Sequence, residues 1–185
     1  ICMEGGNVLA DGAGDFRPNH PLLSLRTTDR RDDVSLGSAN ATSAATAQAA
    51  RLAALAMATY PVYWPETIRG LLTHHAEWTP VMRAEIEAEP GKKQRRSLLK
   101  RYGWGVPDEL SLLSSSVNAV TLVVQDEFVP FAGADYRMRN FRLHQLPWPS
   151  DVLADLGAAD VELRVTLSYF IEPSAARRGW RRRYA

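Results

Sequence analysis

Apolar and polar positions divide the chain into stretches of different character. Residues 1–40 are rich in Gly, Asp, Asn and Pro, with short apolar pieces such as Pro21-Leu22-Leu23-Ser24-Leu25. That pattern predicts loops joined by short strands. From Ala44 to Ala58 the chain is nearly all Ala, Leu and Met, with Thr46, Gln48 and Arg51 as polar interruptions. Alanine has the best helix propensity because it loses no side-chain freedom. A helix apolar on almost every side is a buried one, so this stretch predicts a buried helix, ended by Pro61. A second helix opens at Trp64-Pro65-Glu66. Proline suits a first helical turn and glutamate suits the positive end of the dipole. Ile68, Leu71 and Leu72 then give an apolar stripe at helical spacing.

Residues 81–101 are charged and predict one or two exposed helices, interrupted at Pro90-Gly91. Tyr102-Gly103-Trp104-Gly105-Val106-Pro107 predicts a tight turn, and Asp108 to Ser116 a further short helix. After Asn118 the period changes. Ala119-Val120-Thr121-Leu122-Val123-Val124 is β-branched and strand-like. Residues 141–146 and 161–169 alternate as half-buried strands do. An α-rich part, residues 1–118, thus gives way to a β-rich part, residues 119–185.

Composition narrows the class. Hydrophobic residues make up 45% and charged residues 23% of the 185, which suits a globular chain and argues against wholesale disorder. The net charge of +1 creates no global field that would single out nucleic acid or a membrane as partner. One cysteine, Cys2, excludes an internal disulfide. No signal peptide and no apolar run of spanning length stands out, and with the single cysteine this leans towards the cytoplasm while leaving the compartment open. Ile1 opens in an apolar context, and Arg181-Arg182-Arg183-Tyr184-Ala185 follows a strand-like segment. Both ends read as cuts in a longer chain.

Chemistry concentrates where loop becomes helix, at Asn40-Ala41-Thr42-Ser43-Ala44-Ala45-Thr46-Ala47. A serine at a helix N-terminus lies beside unpaired N–H groups and the positive end of the dipole. Those groups can stabilise an oxyanion forming next to it, although serine needs a base to take its proton. Taken alone, Thr or Ser before an Ala-rich helix is more often a simple N-cap.

The order of features is more specific. Thr42-Ser43-Ala44-Ala45, the Ala-rich helix, Pro61, the Pro65-Glu66-Thr67-Ile68-Arg69 helix with Leu71-Leu72, and the Tyr102–Pro107 turn follow one another. This succession, over roughly residues 20–118, resembles the subtilisin-like (S8-type) serine peptidases. The resemblance implies an α/β fold: the C-terminal portion of a parallel-sheet domain with a buried central helix, followed by a partial β-sandwich. It implies that Ser43 is the catalytic nucleophile, with its own N–H as one oxyanion donor. It implies a peptide or protein substrate and no cofactor. The family's glycine before Thr-Ser is Ala41 here, and its usual Pro and His after the motif are Ala47 and Gln48. In this family the triad runs Asp, His, Ser along the chain. The one upstream histidine, His20, lies in Arg17-Pro18-Asn19-His20-Pro21 rather than a His-Gly-Thr setting, and Asp11 and Asp15 read as turn residues. The histidine and aspartate are therefore expected outside this chain, in the remainder of the catalytic domain upstream.

Other residues carry less. His74-His75 with Glu77 could suggest a metal, but adjacent residues point in different directions and helical metal motifs need i,i+4 spacing. His144 has no partner nearby in sequence. No acidic cluster has the spacing of calcium ligands. Lys92-Lys93-Gln94-Arg95-Arg96 with Lys100-Arg101, and Arg177-Arg178 with Arg181-Arg182-Arg183 beside Trp180 and Tyr184, are basic clusters. The small net charge favours a solvated helix face and a strand flank over a nucleic-acid patch. Two further readings stay open beside the peptidase: a non-catalytic protein-interaction module on the same scaffold, and a nucleic-acid-binding domain.

Overall fold

Local sequence signals set most helix boundaries. The computed structural model describes residues 1–18, 20–115, 121–129, 131–132, 137–138, 141–146 and 148–171. Helix α1, Thr42–Thr59, ends where the Tyr60 N–H bonds Ala56 O at 2.8 Å, one residue before Pro61. Helix α2, Pro65–His74, has proline in its first turn, Glu66 at its positive end and His74 at its negative end. Helix α3, Pro80–Ala88, is capped by Thr79, whose side chain accepts from the Met82 N–H at 3.3 Å. Gly91 opens α4, Lys92–Tyr102, and Pro90 separates the two. Asp108 caps α5, Glu109–Ser114, accepting from the Ser111 N–H at 2.7 Å. A sixth helix, α6, Ser150–Leu156, lies between Pro149 and Gly157.

The strands are short and pair as hairpins or close neighbours. They are β1 (Leu9–Ala10) with β2 (Phe16–Arg17), β3 (Leu25–Thr28) with β4 (Leu36–Ala39), β5 (Ala76–Glu77) with β6 (Val106–Pro107), and β7 (Phe131–Ala132) with β8 (Arg137–Met138). All four pairs are antiparallel. The β3–β4 ladder sets Leu25 opposite Ala39 and Thr28 opposite Leu36, and delivers the chain to Asn40 at the start of α1. The β5–β6 pair closes the turn after α4. Gly105 has φ +98° there, and a Cβ on it would lie 2.1 Å from Glu77 O, so only glycine fits.

The core joins α1, α2 and α5. Leu52, Ala56 and Tyr60 from the first pack with Ile68, Leu71 and Leu72 from the second and Leu112 from the third. Ala56 and Leu112 have no exposed surface. The Tyr60 hydroxyl donates to Leu112 O at 2.8 Å, giving a buried acceptor its partner. Met3, Ala53, Tyr63 and Val123 pack around this cluster.

The mixed helix-and-sheet class agrees with the α/β expectation, whereas its finer details differ. Every sheet among the described residues is a two-stranded antiparallel pair. A parallel pair needs a long crossover between its strands, and these strands of two to four residues are joined in antiparallel pairs instead. The Ala-rich helix is not buried on all sides. Only Leu52 and Ala56 of α1 are buried, because α2 and α5 pack on one face alone. Ala47, Ala50, Ala54 and Met57 form an exposed face opposite. The expected strands at 121–124, 141–146 and 161–169 carry no ladder bonds among the described residues, and no sandwich forms from them. The expected change of domain near residue 118 and the basic cluster at 177–183 lie outside the described residues.

Candidate active site

The helix that carries Ser43 is held from its N-terminal side. The Ala41 N–H donates to Gly5 O at 2.8 Å, and the Asn40 side-chain amide donates to Asn7 O. The chain from Cys2 to Asn7 is fixed in turn at both ends. The Cys2 N–H bonds Gly105 O at 2.7 Å, and the Asn7 N–H bonds Leu23 O at 2.7 Å. So the N-terminal strap ties the Gly-rich turn after α4, the β3 hairpin and the mouth of α1 together. The locking role of Asn40 is not read from the sequence, although an Asn just before a helix start is a usual place for such a side-chain lock.

Ala41, not Thr42 or Ser43, is the N-cap of α1, and it makes no side-chain cap bond. The simple-cap reading of Thr42-Ser43 therefore fails. Thr42 and Ser43 are the first two helical residues, and the first N–H groups of a helix have no intrahelical acceptor. Ala44 N–H takes Ala41 O at 3.0 Å. The N–H groups of Thr42 and Ser43 have no hydrogen bond among the described residues. Ser43 is exposed, and its hydroxyl too has no hydrogen-bond partner among the described residues. The first turn holds no acidic side chain that would repel a developing oxyanion. Ala41 has φ −163°, an extended conformation open to any residue, so alanine there costs no backbone strain.

Among the described residues, no base is hydrogen-bonded to Ser43. None of the four histidines is hydrogen-bonded to it among the described residues. His20 is spent on its own turn: its Nδ1 accepts from the Leu22 N–H at 3.3 Å, and its carbonyl accepts from Leu23 and Ser24. Asp11 accepts from the Ala13 and Asp15 N–H groups as a turn residue. Asp29 pairs with Arg31, whose hydrogen bond holds the carboxyl below its usual range.

His74 and His75 stand edge to face with ring centroids 5.0 Å apart. His74 Nδ1 lies 2.8 Å from Thr166 Oγ1, and Arg164 donates to His74 O at 3.0 Å. Glu77, the third member of the suspected metal set, pairs with Arg164 at 3.4 Å instead. Among the described residues, no three His, Cys, Asp or Glu side chains group in a way that could hold a metal. The histidines are part of a polar seam. Arg164, Thr166 and Ser168 meet α2 at His74, Gly70, Arg69 and Glu66. Burial first, then Arg164, lowers the His74 pKa. Burial, His74 and Arg164 lower that of His75, opposed by Asp108 and Glu77. His144 is exposed.

No helix among the described residues is long and apolar enough to cross a membrane. No curated protein and no solved structure matches this chain. The profile of the subtilase family does match, over residues 1–105. The match runs from the N-terminal strap through Ser43, α1 and α2 to the Gly-rich turn on which the strap is fastened. More than half of the chain is therefore accounted for by one family and by the contacts that hold Ser43 at a helix mouth, and the chain belongs to the subtilase family of subtilisin-like serine peptidases.

Proposed function

We propose that this chain is the serine-bearing part of a subtilisin-like endopeptidase, with Ser43 as nucleophile and the triad histidine and aspartate in the sequence upstream of Ile1. The observation that carries the reading is the mouth of α1. Ser43 is exposed in the first turn, its N–H has no acceptor among the described residues, and the cap before it is an alanine that leaves the hydroxyl uncommitted. In this reading the Ser43 Oγ bonds to the carbonyl carbon of a peptide while its proton passes to the upstream imidazole. The carbonyl electron pair moves onto oxygen, where the Ser43 N–H and the helix dipole stabilise it. Collapse expels the amine, which takes the proton, and water repeats the sequence on the acyl-enzyme.

The uncovered face of α1 supports the same reading. Ala47, Ala50, Ala54 and Met57 lie along one side of the helix and are exposed, and small side chains suit close approach of another layer. The upstream portion would supply the parallel sheet and make α1 the buried central helix. Residues 1–118 then complete the catalytic domain, and residues 119–185 begin a β-rich domain. The substrate is a peptide or protein, and no cofactor is required.

A longer chain that includes the upstream histidine and aspartate should hydrolyse peptides, and Ser43→Ala should lower that rate by about a thousandfold or more. The 185-residue chain alone should show no serine-dependent turnover. Turnover by it alone would place the base within it and overturn the division proposed. A second reading, a non-catalytic interaction module, rests on the absence of any base in contact with Ser43 among the described residues. It requires a protein partner whose binding is unchanged by Ser43→Ala, in a longer chain that cleaves nothing.

A further inference from the structure

The helix α4 carries charge in a way its own stability does not explain. Lys92, Lys93, Arg95, Arg96, Lys100 and Arg101 sit in eleven residues, all exposed, with no acidic residue in the helix. Lys100 and Arg101, in the last turn, suit the negative end of the dipole, but Lys92 and Lys93 sit at the positive end, where cations are unfavourable. Lys92 and Arg96, and Arg96 and Lys100, repel at i,i+4 spacing. Some of these charges are engaged: Arg95 donates to Glu89 O, and Arg101 lies over the Tyr102 ring. Lys92, Lys93, Arg96 and Lys100 have no ion pair among the described residues. Lys93, Arg96, Ser97 and Lys100 share one exposed face of α4 at i, i+3, i+4 and i+7 spacing, and no carboxylate stands among them. The nearby carboxylate Glu85 is taken by the Tyr102 hydroxyl, and Glu87 lines a hollow beside Trp78.

The C-terminal end of this helix is tied to the mouth of α1 through the N-terminal strap. The N-terminal strap meets the end of α4 at Cys2, whose thiol lies 3.3 Å from Tyr102 O, and meets the mouth of α1 at Gly5, which accepts from Ala41. Three extended residue steps span about 10 Å. Along α4, Lys93 to Lys100 is a rise of about 10.5 Å, close to three residues of an extended peptide. We propose that the basic face of α4, through Lys93, Arg96 and Lys100, is an accessory docking surface for an acidic stretch of the polypeptide on which Ser43 acts. The occupant is a polypeptide because the helix is fastened to a peptidase nucleophile, and it is acidic because three unpaired cations meet there without a counter-charge. This proposal rests on the peptidase reading, but its test does not need catalysis.

The test is fluorescence anisotropy of the 185-residue chain with a labelled Glu-rich peptide, at low and at high salt, beside a neutral peptide of equal length. The acidic peptide should bind more tightly, and salt should weaken it. A Lys93→Gln/Arg96→Gln/Lys100→Gln variant, its helix content checked by circular dichroism, should lose about tenfold in affinity. The charge-keeping Lys93→Arg/Lys100→Arg variant should retain it. Equal binding of acidic and neutral peptides, or of the triple variant and the parent, overturns the proposal. Tighter binding of a single-stranded DNA of equal charge, or of anionic vesicles, overturns the choice of polypeptide. Failure here leaves Ser43 untouched as nucleophile, and failure of Ser43 as nucleophile leaves the binding result standing.

Discussion

Among the described residues, the buried core comes from residues 1–115, and residues 121–171 meet it through the partly buried Val123 and through polar side chains. In the first region most helix boundaries have a local cause, and three helices share one core around Leu112 and Ala56. In the second, large apolar side chains stand in solvent: Val165 is 77% and Leu167 82% exposed. The side chains of residues 164, 166 and 168 that do meet the first region are polar, and the apolar ones between them face away. A helix satisfies its backbone internally, so its ends and faces can be set by nearby residues. A strand needs a neighbour for its hydrogen bonds, and alternation alone does not supply one.

Substitutions at matched pairs break or sharpen this contrast. Leu112→Ala should cost about 2–5 kcal/mol in urea denaturation, since it empties a fully buried site, whereas Leu167→Ala should stay within about 0.5 kcal/mol. Equal effects would mean that the second region is packed as tightly as the first. Gly105→Ala comes next. Its Cβ meets the Glu77 backbone at 2.1 Å and its φ is +98°, so a loss of about 1–3 kcal/mol is expected. Gly157, in the second region, has φ +60°, ψ −116° and open space around it; Gly157→Ala should cost backbone strain alone, about 1 kcal/mol.

The joint between the regions is pH-sensitive. Burial and Arg164 hold His74 below the ordinary imidazole value of 6.5, and His75 is lowered by burial, by His74 and by Arg164. In the unfolded chain both titrate at the ordinary value. As pH falls through about 6.5 the unfolded chain binds protons before the fold does, so stability falls with pH below that point and levels off once the folded imidazoles also protonate. Melting temperature should therefore drop between neutral and mildly acidic pH, and His74→Gln/His75→Gln should flatten the slope. A modest effect belongs to Ser168→Ala, which removes the hydrogen bond to Glu66 O at 2.9 Å. It should cost about 0.5–1.5 kcal/mol and speed proteolytic cutting within residues 162–171.

Much of the first region was legible in the sequence because its signals are local. Pro61, Pro65, Pro90-Gly91 and Asp108 marked boundaries that the helices respect within a residue or two. Helix α6 was missed, although Ser150-Asp151 and Gly157 carry the same kind of signal. Among the described residues only one face of α1 is buried, since alanine favours a helix whether or not another layer covers it. At the site, the helix start beside Ser43 is legible from the Ala-rich run that follows it, but the identity of the cap is not. Only the fold reveals that Ala41 takes that position while the strap holds Ala41 and Asn40 from outside the helix. That strap joins residues far apart in the chain, which no local pattern encodes.

The claim that Ser43 is a peptidase nucleophile is tested most directly by fluorophosphonate labelling of a longer chain that contains the upstream histidine and aspartate, followed by peptide mapping. The account predicts one adduct, on Ser43, absent after Ser43→Ala and absent from the isolated 185 residues. A folded longer chain that takes no label, or takes it on another serine, would contradict it.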